Sequence, residues 1–142
     1  MPTYSATDLN SKPVHGCEYG NAVAFHGKAT PAANVVTGDK LRICRIAAGT
    51  DVTKLNLKHA SLGTTVPGDI GYEPVDGSAG NSTAFASAYA LQTAQANGIM
   101  LMMTDPVRVE KESFLTITLG TVTAGNTQAV SGVAEGVALG VK

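Results

Sequence analysis

The sequence predicts an all-β, mainly antiparallel domain, a sandwich or barrel carrying one short Ala-rich helix near residues 84–96. Three observations predict it. Apolar residues alternate with polar ones in several short runs, the period of a strand with one buried face. Gly, Pro, Asn and Asp separate those runs, where turns call for them. The alternation of strand and helix that builds parallel sheets is missing.

Taken in order, residues 1–20 show neither helical nor strand periodicity and read as an extended N-terminal arm. Tyr4, Leu9, Val14 and Tyr19 are its isolated apolar residues and its candidate contacts with a partner subunit. Residues 21–142 then form a single sandwich domain. Residues 21–27 give a short first strand with Val23 and Phe25 on one face, and residues 29–38, with Pro31 and Gly38, a loop. In residues 40–46, Leu41 and Ile43 alternate with Lys40 and Arg42; in residues 52–59, Leu55 and Leu57 alternate with Lys54, Asn56 and Lys58. The Gly49 turn between them predicts that these two strands pair with each other. Pro67-Gly68-Asp69 turns into a strand over residues 70–75, and residues 76–82 form a loop.

Residues 83–97 break the rhythm. They hold many Ala and no Gly or Pro, Phe85 and Tyr89 stand at i and i+4, Asn81 to Thr83 offer N-caps, and Gly98 offers a stop. That pattern is the basis of the helix. Residues 99–103 are wholly apolar, as in a strand buried on both faces. Val107 and Val109 alternate with charged neighbours, and residues 114–122 alternate Leu115, Ile117 and Leu119 with Thr116 and Thr118. After an Ala124-Gly125-Asn126 turn, residues 130–141 place Val133, Val137, Leu139 and Val141 in one phase, with Gly and Ala in the other.

Composition narrows the function. Charged residues are 15%, against about 25% in an ordinary domain. With 44% hydrophobic residues and a net charge of −1, disorder is disfavoured. A near-neutral chain has no basic excess for nucleic acid, and a five-residue apolar run is far short of the roughly 20 that a membrane span needs. Residues 1–60 hold seven basic and four acidic residues, residues 61–142 three and seven, and local pairing between the halves is the simpler expectation. The N-terminus has neither the basic nor the apolar part of a signal peptide, so synthesis in the cytoplasm with Cys17 and Cys44 reduced is expected.

No chemistry emerges. Of His15, His26 and His59, only His15 has a nearby cysteine, Cys17, and no second close pair completes a zinc site. There is no nucleophile elbow and no phosphate loop. Asp69, Glu73 and Asp76 surround a turn, where acids normally act as turn formers. No catalytic, cofactor-binding or metal-binding residue is assigned, and the chain reads as a non-enzyme.

The stretch Gly38-Asp39-Lys40-Leu41-Arg42-Ile43-Cys44-Arg45-Ile46-Ala47-Ala48-Gly49-Thr50, the later Asp69-Ile70-Gly71-Tyr72 and the strand-rich tail through Val141 resemble small capsid cement, or decoration, proteins of tailed bacteriophages. The resemblance implies a jelly-roll type of sandwich on the outer capsid surface of a virion. It also implies binding to the major capsid protein and self-association; because a symmetric dimer is the commonest closed assembly, a dimer is slightly favoured over a trimer. A small sandwich module for glycan or host-surface contact is the alternative. Few charges, and many Gly, Ala, Thr and Val, suit a surface that partners cover.

Overall fold

The computed structural model describes residues 1–5 and 22–139. Its strands are β1 (Thr3–Ser5), β2 (Ala22–Ala29), β3 (Lys40–Ile46), β4 (Thr50–His59), β5 (Pro67–Pro74), β6 (Asn81–Ala90), β7 (Gln95–Val109), β8 (Ser113–Leu119) and β9 (Val130–Ala138). One sheet runs β1-β3-β8-β5-β6 and the other β2-β9-β4-β7. Strands β2 to β9 thus have the order of an eight-stranded jelly roll, two Greek keys closed into a sandwich. Every pairing is antiparallel except β1 on β3, which is parallel. The all-β sandwich expected from the sequence is the fold.

The core lies between the sheets. Leu41, Ile43 and Ile46 of β3, Leu115 and Ile117 of β8, and Ile70 of β5 face Val52, Leu55 and Leu57 of β4 and Ala134 of β9, all but inaccessible to solvent. The alternation read in β3, β4 and β8 is this inward face.

Three expectations need correction. There is no helix among the described residues. Residues 84–96 belong to β6, a turn and the start of β7. An i, i+4 spacing satisfies a period of two as well as a helical one, so Phe85 and Tyr89 do not by themselves distinguish a helix from a strand. β6 gains an edge on β5 that an isolated Ala-rich helix would lack. At Ala88, with φ of +52°, the strand bulges, and the Asp69 carboxylate accepts the Ala88 N–H at 2.9 Å and the Ser87 hydroxyl at 3.1 Å.

Second, β3 and β4 do not pair. In this topology, the turn at Gly49 carries the chain from one sheet to the other, and β5–β6 is the hairpin between consecutive strands within one sheet. Third, the pentad 99–103 is not covered on both faces: β7 is an edge strand with Met100 and Met102 51% and 74% exposed. Of the two phases read in β9, the small residues Gly132, Ala134 and Gly136 face the core, while Val133 and Val137 face outward. A Cβ at Gly132 would press on side-chain atoms of Ile43 and Leu57, at 3.0 and 3.1 Å.

Thr3–Ser5 extend the β3 edge, and Tyr4 packs against the core of its own sandwich. Leu9, Val14, Tyr19, His15 and Cys17 lie outside the described residues.

Candidate functional site

The two outer faces of the sandwich differ in how their charges are compensated. On the β1-β3-β8-β5-β6 face, Lys40 and Arg42 of β3 converge on Glu73 of β5. Lys40 Nζ donates to Oε1 at 3.1 Å, and Arg42 Nε and Nη2 donate to Oε2 at 3.2 and 3.1 Å. The guanidinium groups of Arg42 and Arg45 lie over the Phe114 ring, 4.7 and 5.4 Å from its centroid. Arg45 also bonds Glu112 at 3.1 Å. Cross-strand register brings these groups together: Arg45 is opposite Phe114, which is opposite Glu73. The face neutralises itself.

Burial by itself raises the Glu73 carboxyl. Hydrogen bonds from Lys40 and Arg42, helped by their charges, outweigh that effect and hold it below its ordinary 4.5. A depressed folded-state value stabilises the fold above about pH 4.5 and loses that contribution as pH falls further. Glu73→Gln is therefore expected to cost about 1 kcal/mol at neutral pH, as for a solvent-screened pair. In thermal melts at descending pH, the gap between wild type and variant should narrow as pH falls below 4.5. A gap that stays constant into acid would rule out this ion cluster as its source.

The β2-β9-β4-β7 face is built in cross-strand rows. Lys28, Ser131 and Lys58 form one row across β2, β9 and β4; His26, Val133 and Asn56 form the next, which continues to Met100 on β7. Ala24, Glu135, Lys54 and Met102 form the third. Lys54 pairs with Glu135 at 2.7 Å, and Arg108 pairs with Asp51 at 3.1 Å. Lys28 and Lys58 pair with no carboxylate among the described residues. They border a shallow concavity whose lining also includes His26, Asn56, Asn97 and Ser131, and no acid. Beside it stands the apolar ridge of Met100 and Met102, with Val137 and Leu139 37% and 58% exposed near the far end of β9. Such a mixture resembles an interface more than a solvated sheet face.

The expected pairing between the chain's halves is present: Lys40, Arg42, Arg45 and Lys54 all bond acids of the second half, and Asp51 bonds Arg108. His26 and His59 do not converge. His26 is on the outer face, whereas His59 is buried, with Nε2 3.3 Å from the Tyr89 hydroxyl and Nδ1 2.9 Å from the Ala60 carbonyl. Among the described residues, no three His, Cys, Asp or Glu side chains gather as metal ligands would. Cys44 is buried, and its thiol donates to the Phe25 carbonyl at 3.6 Å. Sequence reading missed the outer-face rows, although alternation marks His26, Lys28, Lys54, Asn56 and Lys58 as one-sided within each strand.

Solved structures carry the comparison further. The fold matches a chain of the capsid of Ralstonia phage GP4 with a TM-score of 0.72 at 12% identity, over 99% of this chain and all of that one. The chain has a fold found in phage capsids. A second match is in the capsid asymmetric unit of cyanophage Pam1, with a TM-score of 0.64, 16% identity and coverage of 92% and 96%. A third is in the capsid of Helicobacter pylori bacteriophage KHP30, with a TM-score of 0.55, 12% identity and coverage of 89% and 92%. No protein-family model and no curated protein matches the sequence.

Proposed function

We propose that this chain is a structural virion protein that binds the outside of a phage shell and cements neighbouring major capsid subunits, acting as a homo-oligomer without catalytic chemistry. The observation that carries the reading is the end-to-end match of its jelly roll to a chain of a phage capsid. The exposed Met100, Met102, Val137 and Leu139 support it, because a free surface has no need of them. In the same reading, Leu9, Val14 and Tyr19 of the arm lie against a neighbouring subunit, while Tyr4 packs at home.

Co-sedimentation with assembled shells that lack the protein tests this. The full chain should pellet with shells and raise their melting temperature, and its mass in free solution should exceed that of one chain. Removal of residues 1–20 should weaken shell binding. Retention on host-surface glycans with no affinity for shells would replace the reading with that of a receptor-contact module.

A further inference from the structure

We infer that the outer face of the β2-β9-β4-β7 sheet is the surface that meets the shell, and that its Lys28–Lys58 corner takes an acidic, extended segment of the neighbouring protein. The inference rests on the structural virion reading above and assigns it a surface and a partner chemistry.

The corner is the place where the chain's own compensation stops. Lys40, Arg42, Arg45, Lys54, Arg108 and Lys111 all reach a carboxylate within 3.1 Å. Among the described residues Lys28 and Lys58 reach none, and register places them on either side of Ser131, facing the same way. Two strand spacings separate their Cα atoms, about 10 Å. Like charges on one face with no acid between them are an unfavourable element of the isolated fold. A partner that supplies the acid removes that cost.

The shape and count of groups indicate which acid. Nucleic-acid sites commonly neutralise about six to ten phosphates; two lysines and His26 are too few, on a chain of net charge −1. Carboxylates two residues apart on an extended segment lie about 7 Å apart, within the span of two flexible lysine side chains. Asn56, Asn97 and Ser131 supply hydrogen bonds for the segment's backbone. Met100 and Met102, one and two rows along, continue the surface as an apolar contact of the kind interfaces favour. On the opposite outer face, Lys40 and Arg42 are met by Glu73 and Arg45 by Glu112.

The test uses Lys28→Glu/Lys58→Glu, two exposed positions where the fold should survive, as thermal melts will check. Free wild-type protein should bind poly-L-glutamate, more weakly between about 0.05 and about 0.5 M salt, and the double variant should not. On shells, the double variant should bind at least about tenfold more weakly. Met102→Asp should weaken shell binding but spare polyglutamate. Equal shell binding by wild type and double variant would overturn the inference and leave the virion role standing. Failure of wild type to bind shells, with polyglutamate still captured, would remove the virion role and keep the acidic-segment site. Stronger competition by heparin or duplex DNA than by polyglutamate would overturn the choice of partner. A lowered melting temperature with unchanged shell binding would place the chain's own acids over the face and overturn it as well.

Discussion

Gly27→Ala is expected to cost about 3 kcal/mol or more, the upper range for overpacking, and to lower the melting temperature by roughly 10 °C in a domain of this size. Gly27 lies on the inward face of β2, where the sandwich closes against β3. A Cβ built there would sit 1.9 Å from the Ile43 carbonyl oxygen and 2.9 Å from its carbon. Those are backbone atoms of a buried strand, and they cannot turn aside as a side-chain tip could. The approach is close because β3 bulges between Arg42 and Cys44, and the Cys44 thiol bonds the Phe25 carbonyl at the same corner. Gly132, directly opposite Gly27 in register, makes the comparison. A Cβ there meets only the ends of Ile43 and Leu57, at 3.0 and 3.1 Å, so Gly132→Ala should cost about 1 kcal/mol, the low end for overpacking. Equal losses for the two variants in chemical denaturation would disprove the backbone-contact explanation.

Ile117→Ala is expected to cost about 3–4 kcal/mol, near the middle of the range for deleting a buried aliphatic side chain. Ile117 is fully buried in β8, the central strand of its sheet, opposite Leu41 on one side and Ile70 on the other. Strands on both flanks hold the backbone, so the cavity cannot close by moving β8. Ile117→Val should cost about 1 kcal/mol. The two losses should appear as shifted denaturation midpoints at unchanged slope. A loss below about 1 kcal/mol for Ile117→Ala would show that the core collapses into the space.

Alternation of Leu41 with Arg42, Leu57 with Lys58 and Ile117 with Thr118 made the strand-rich class legible, because one wet face and one dry face impose period two. Sheet membership was not legible. Whether a Gly turn folds a strand back on its neighbour or sends it across the sandwich depends on which partner waits there, and for β4 that partner is β9, far along the chain. The Ala-rich segment failed for a different reason. Phe85 and Tyr89 fit both periods, and the small residues between them leave edge pairing with β5 to decide. The pentad 99–103 misled because apolarity was equated with burial by the same molecule. For the assembly surface, the one-sidedness of Lys28 and Lys58 was readable strand by strand. Their separation by the single strand β9 was not, since register between distant segments leaves no local mark.

The position of β9 bears on how the molecule comes into being. It lies between β2 and β4, pairing with both along their length, yet it is the last described strand to leave the ribosome. Until it arrives, β2 has no hydrogen-bonded neighbour and β4 has only β7. Half of the sandwich must therefore wait for the rest to be synthesised. With contacts this distant along the chain, folding belongs to the millisecond-to-second regime of β-rich topologies rather than the microsecond regime of helical ones. Nascent chains stalled before residue 130 should expose the β2 and β4 edges to one another's copies. Dense polysomes would then be where this protein is most prone to aggregate.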